Sequence, residues 1–136
     1  MYEYKVSQVT RVVDGDTVDL LIDLGFDITK KERIRIGGID APESRTRNLE
    51  EKKLGLEAKA FVEERLDKAE TIIIQTRKTD KYGRILGWLY LNGETVSLND
   101  QMVEAGYAWA YDGGRKEKDF TKLEQRRRAG GTWIEA

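Results

Sequence analysis

The chain has 136 residues, 24 Lys and Arg against 25 Asp and Glu, and neither histidine nor cysteine. Imidazole acid–base pairs, Ser-His and Cys-His nucleophiles, thiolate zinc sites and disulfides are therefore excluded. Hydrolytic chemistry falls to carboxylates, tyrosines, lysines, arginines and metal-bound water.

A net charge of −1 argues against a protein that coats a duplex, because such proteins carry a domain-wide basic balance. The length suits one domain, residues 1–136, held together by its core. No stretch approaches the roughly 18 apolar residues that span a membrane, and no signal-peptide pattern opens the chain. The expectation is a cytoplasmic protein or the mature form of a secreted one.

In chain order, residues 4–13 alternate loosely, are rich in Val and Thr, and predict a strand. Asp14-Gly15 is a hairpin signal. The return strand puts Val18, Leu20, Ile22 and Leu24 on one face and Thr17, Asp19 and Asp23 on the other. Arg33-Ile34-Arg35-Ile36 repeats the alternation after a polar loop, predicting a three-strand antiparallel meander that Pro42 ends. The polar segment Ser44–Lys53 reads as a mobile surface loop. From Leu54 to Ala69 the period turns helical, with Leu54, Ala58, Phe61, Val62 and Leu66 on one stripe.

Ile72-Ile73-Ile74 and Ile85–Leu91 predict two more strands, the second ended by Asn92-Gly93. Leu98, Met102 and Ala105 mark a second helix closed by Gly106, and Phe120 and Leu123 a third. The fold class is α+β, mainly a β barrel. Five strands with a helix between the third and fourth match the order of an oligonucleotide-binding (OB) barrel, here with three helices.

Carboxylates at strand ends suit hard cations, and guanidinium forks suit phosphate; together they are the parts for cutting a phosphodiester. Asp16 and Asp40, if their strands are neighbours, converge at one end of the barrel, and two such carboxylates repel unless a cation lies between them. Either residue alone reads more readily as a turn-forming aspartate. Glu43, three residues past Asp40, is placed to orient a water or accept its proton, or is an exposed loop residue. Arg35 alternates with Ile34 and Ile36 and points away from the core. Arg35 and Arg84 are candidates for one phosphate, or else ordinary surface cations.

Arg77, Lys78, Lys81 and Arg84 against Asp80 alone form a local basic patch. Lys81, Tyr82 and Tyr111 are candidate phosphate and base contacts. Trp88, Tyr90, Tyr107 and Trp109 read as packing residues, and Arg126-Arg127-Arg128 as the solvated end of the last helix.

At four places the chain resembles the staphylococcal (micrococcal) nuclease family. These are Asp14-Gly15-Asp16-Thr17-Val18, Ile34-Arg35 leading to Asp40-Ala41-Pro42-Glu43, Thr79-Asp80-Lys81-Tyr82-Gly83-Arg84, and Val103-Glu104-Ala105-Gly106-Tyr107-Ala108. Their order and separation run from about residue 4 to Trp133.

The resemblance implies a five-stranded barrel with three helices and a Ca2+-dependent nuclease. Its substrates would be DNA and RNA, single-stranded or locally open, and its products 3′-phosphate and 5′-hydroxyl ends. It implies that Asp16, Asp40 and the carbonyl of Ala41 hold the metal and that Glu43 contacts the attacking water. Arg35 and Arg84 would bind the scissile phosphate, and Lys81, Tyr82 and Tyr111 the substrate. A monomer with no membrane association is expected.

Two rivals are a non-catalytic barrel that binds nucleic acid or protein, and a phosphodiesterase confined to small substrates. The chain departs from the family pattern in three places. Ala41 replaces a threonine, Gly37-Gly38 replaces an aliphatic pair and so is expected to loosen the strand leading to Asp40, and Asp112-Gly113-Gly114-Arg115 follows no familiar pattern.

Overall fold

Alternation closes this chain into a barrel. The computed structural model describes residues 2–114, 116 and 118–130; Arg115 and Trp133, noted in the sequence, lie outside them. Strands β1 (Tyr2–Asp14), β2 (Thr17–Asp23) and β3 (Thr29–Ile36) form the expected antiparallel meander. After a short β4 (Ile39–Asp40) and helix α1 (Leu49–Lys68) come β5 (Ile72–Thr79) and β6 (Ile85–Leu91) as a second hairpin. Helix α2 (Leu98–Glu104), β7 (Trp109–Ala110) and helix α3 (Phe120–Ala129) follow. The barrel runs β1-β2-β3-β6-β5 and is closed by a parallel pairing of β3 with β6. The architecture is the α+β, OB-like barrel with three helices that the pattern implied.

Val18, Leu20, Ile22, Ile34, Ile36, Ile74 and Leu89 fill the barrel. The Leu54–Leu66 stripe of α1 closes it from below, with Phe61 stacked on Tyr107 at 4.3 Å. Leu24 does not join that core. β2 ends at Asp23, and the left-handed backbone of Gly25, Phe26 and Asp27 turns Leu24 out to solvent.

Asp19, expected on a polar face, is buried by its partner across the sheet. Arg33 Nε and Nη2 reach its two carboxylate oxygens at 2.8 and 3.1 Å. That bidentate bond holds the Asp19 carboxyl below its usual range. A depressed carboxyl contributes stability above its unfolded pKa of about 3.9 and loses it as pH falls through the folded value. Asp19→Asn is therefore expected to lower the thermal midpoint at neutral pH. The gap to the parent should close as pH drops below about 4. A gap unchanged at lower pH would assign the effect to packing.

Three other expectations change. The segment after Ser44 is not a mobile loop: Asn48 caps α1 by accepting from the Glu51 N–H at 3.1 Å, and Ser44 and Glu51 are buried. The helix therefore starts at Leu49, a turn and a half before its apolar stripe. Gly37-Gly38 does not loosen the strand either. The indole of Trp88 lies over Gly37, where a Cβ would come within 2.5 Å of it, so the glycine is a close-packing residue.

The third correction concerns Arg127, which is no solvated helix end: it is 1 % exposed. It occupies the i+7 position from Phe120 and i+4 from Leu123, on the buried side of α3. Its Nε donates to Gly106 O at 2.9 Å, and its Nη1 to Leu54 O at 3.1 Å and to Glu57 at 2.7 Å. The guanidinium also lies 4.4 Å above the Tyr107 ring. No helix among the described residues is long and apolar enough to cross a membrane.

Candidate active site

The register of β2 against β3 places Thr17 opposite Arg35, and Ile36 N donates to Asp16 O at 2.8 Å. The Asp14–Thr17 turn is thereby held beside the end of β3. Arg35 points away from Ile34 and Ile36, as alternation requires, yet it is only 6 % exposed because carboxylates close over it. Its Nη1 lies 3.5 Å from Asp16 Oδ2 and its Nη2 lies 3.6 Å from Asp40 Oδ1. Nη1 also donates to Ile36 O at 3.1 Å.

Asp40 reaches this point on β4, which pairs with Trp109–Ala110 in a separate two-stranded sheet rather than ending β3. Asp16 and Asp40 thus converge on one guanidinium. Two carboxylates against one arginine leave an excess negative charge, offset at the rim by Lys116, whose Nζ is 3.4 Å from Asp40. The donors are all oxygen, the chemistry that suits a hard divalent cation, and the carbonyl of Ala41 follows directly in the chain. The third acidic residue, Glu43, stands apart: the described residues hold no cluster of three acidic groups at metal spacing.

The turn after Asp40 is held by its own amides. Ala41 N donates to Asp16 Oδ2 at 3.1 Å, Glu43 N to Glu51 Oε2 at 3.1 Å, and Ser44 N to Asp14 Oδ1 at 3.3 Å. Burial raises the Asp14 carboxyl above its usual range, Asp16 adds to this, and the Ser44 and Gly15 bonds only partly offset it. Gly55 on α1 lets the turn approach: a Cβ there would lie 2.4 Å from the Glu43 carbonyl carbon.

Glu51 also binds Lys118 at 3.1 Å, and Lys118 Nζ lies 4.0 Å from Glu43 Oε1. Burial works against the Lys118 charge, but Glu51, Glu43 and Asp40 outweigh it and hold the ammonium above the usual lysine range. The Glu43 side chain itself remains 57 % exposed, free to meet a water.

Arg84 touches neither aspartate. It sits on the β5–β6 hairpin, where Asp80 fixes it through Nε at 2.5 Å and through its backbone N–H at 2.9 Å. Tyr82 carries Lys81 and Arg84 over its ring, at 5.4 and 5.3 Å. A cleft of about 440 Å³ takes in both groups, with Arg35, Lys81, Tyr82 and Arg84 all in its lining. Tyr111 lines it too; its N–H donates to Gly38 O at 2.8 Å and its hydroxyl to Gly114 O at 2.9 Å. A larger groove, about 790 Å³, runs between β1 and α1 but holds none of these residues. Its carboxylates, Glu63, Glu64 and Asp67 among them, repel phosphate.

The model of the staphylococcal nuclease homologue family matches residues 33–133. The chain belongs to the staphylococcal nuclease family. The matched stretch takes in Arg35, Asp40, Ala41, Glu43 and Arg84, while Asp16 lies ahead of it and joins them through the fold. Among similar proteins, ParB of Escherichia coli is 33% identical over 130 residues, covering 89% of this chain and 67% of that protein. An uncharacterized endonuclease of Escherichia coli is 32% identical over 131 residues, 95% of this chain and 77% of its own. A micrococcal nuclease of Shigella flexneri is 31% identical over 137 residues, covering 93% and 72%.

The supports of this candidate site were less visible in the sequence than its candidate residues. Glu51 had a signal, since Asn48 followed three residues later by glutamate marks a helix start. Lys116 and Lys118 had none, because their partners lie about 70 residues away. The same holds for Asn99, whose amide donates to both Gly37 O (2.8 Å) and Gly87 O (3.0 Å) and ties the turn before β4 to β6.

Proposed function

We propose that the protein is a Ca2+-dependent nuclease that hydrolyses phosphodiester bonds of DNA and RNA, leaving 3′-phosphate and 5′-hydroxyl ends. The observation that carries this reading is a pair of carboxylates, the buried Asp40 and the half-buried Asp16, sharing the one guanidinium of Arg35. Asp16, Asp40 and the Ala41 carbonyl would hold the calcium ion, which when bound neutralises the carboxylates and polarises a phosphate oxygen.

Arg35 and Arg84, both lining the cleft, grip the scissile phosphate and stabilise the negative charge that builds as water adds. Glu43 orients that water and accepts its proton; the bonds to Ala41, Glu43 and Ser44 amides keep its backbone still. Lys81 contributes a phosphate contact, and Tyr82 and Tyr111 offer flat faces to bases. Contacts to the faces of bases favour single strands or locally opened duplex, whose bases are unstacked, over intact duplex.

The test is digestion of heat-denatured DNA with calcium, with magnesium alone, and with chelator, beside Glu43→Gln. Calcium-dependent cutting is expected, falling roughly 10²–10⁴-fold in the variant. No cutting by the folded protein under any condition would leave a non-catalytic binding module instead.

A further inference from the structure

Arg77 has no role in the site described so far; it lines a neighbouring hollow with Lys30 and Glu32 and meets the cleft through Trp88. It lies where β5 slips register against β6, between the Thr76–Gly87 and Thr79–Ile85 pairs. Two residues, Arg77 and Lys78, there oppose one, Leu86. A bulge of this kind re-aims a side chain. It lays the Arg77 guanidinium over Trp88, 4.0 Å from the ring centroid. Trp88 in turn lines the cleft beside Arg35, Tyr82 and Arg84. It is fixed from beneath by its close packing on Gly37.

The state of the charge is the second observation. Arg84 is neutralised by Asp80, and Arg35 by Asp16 and Asp40. No carboxylate among the described residues pairs with Arg77, and its side chain is exposed. A guanidinium stacked flat on an indole keeps the N–H groups at its edges available, in the fork geometry that matches phosphate.

Position is the third. Arg35 pairs in register with Leu86. Trp88 is the next residue on the same face of β6, roughly 7 Å further along the strand. That distance is comparable with the step between consecutive phosphates of an extended nucleic-acid strand.

We propose that Arg77 on its Trp88 platform is a second phosphate subsite, one that holds the phosphate flanking the scissile one in a single-stranded substrate. This rests on the nuclease reading above and extends it: with a net charge near zero, the protein gathers substrate by point contacts along the cleft rather than through an overall positive field. The subsite makes the enzyme discriminate by substrate length.

The test compares kcat/KM for a dinucleotide and for a single-stranded octanucleotide across a salt series, in the parent, Arg77→Ala and Arg77→Lys. In Arg77→Ala, the ratio of octanucleotide to dinucleotide kcat/KM is expected to fall about tenfold, chiefly through KM. The log–log salt slope for the octanucleotide should become shallower by about 0.7. Arg77→Lys should recover the slope but only part of the ratio, because lysine keeps the charge without the stacked fork.

An unchanged ratio and slope would overturn the subsite. An equal fall on both substrates would also overturn it, by assigning Arg77 to support of the cleft wall. If the parent cuts neither substrate, the nuclease reading fails separately, and anisotropy of a labelled octanucleotide in chelator then decides. A shallower salt slope of binding in Arg77→Ala keeps the subsite; absence of binding, or an identical slope, removes it.

Discussion

Arg35→Lys is expected to lower kcat on heat-denatured DNA by about 10²–10³-fold while leaving the protein folded. The arginine does two things that lysine cannot combine. Its two terminal nitrogens reach separate carboxylates, Asp16 at 3.5 Å and Asp40 at 3.6 Å, which sets the spacing of the two aspartates. Its third face borders the cleft, where a phosphate would add to the same planar fork. A lysine supplies one compact charge that can serve one carboxylate or a phosphate, not both aspartates and a phosphate together.

The charge at the position is conserved by this change, so the two aspartates are not abandoned. The rate should therefore fall far more than the thermal midpoint. Measuring both decides the matter. A rate within a few fold of the parent would remove Arg35 from catalysis, and a collapse of the midpoint in step with the rate would make it a structural ion pair.

Arg127→Ala is expected to be the most destabilising single change, by about 3–5 kcal/mol in urea unfolding. The side chain is fully buried between α1, α3 and the Gly106 corner, and it satisfies the carbonyls of Gly106 and Leu54 as well as Glu57. Truncation removes a packed cation from the Tyr107 face and the donor from the Gly106 carbonyl, while the Leu54 carbonyl, inside α1, keeps only its helical bond. Against a typical domain stability of about 5–15 kcal/mol, that loss is large enough to leave a sizeable unfolded fraction. Glu57→Gln should be much milder, because Glu57 is about one-third exposed and water replaces what the amide cannot. A loss below about 1 kcal/mol in Arg127→Ala would show that water enters the space and takes over the carbonyls.

These two arginines show how unevenly the sequence discloses its own structure. Both lie at an alternation or helical position that can be read off the chain. Arg35 was placed correctly because its flanking isoleucines define a strand face and because it stands close to Asp40. Arg127 was misread because a run of three arginines at a helix end resembles solvated charge. Its partners at Leu54, Glu57 and Gly106 come from distant parts of the chain.

The same division runs through the site. Alternation in β2, β3 and β6, the helical stripe of α1, and the absence of histidine and cysteine were sufficient to determine the barrel and to restrict the chemistry to carboxylates and guanidiniums. Carboxylates and arginines at strand ends, with the four family-like motifs, nominated Asp16, Arg35, Asp40, Glu43 and Arg84. Only the tertiary structure decided that Asp16 and Asp40 share Arg35, that Asp40 rides on a strand paired with Trp109, that Glu51 holds the Glu43 turn, and that Trp88 displaces any side chain at position 37. The physical reason is range. Periodicity records which face of one element meets the core, whereas each of these contacts joins elements whose separation in the chain leaves no local trace.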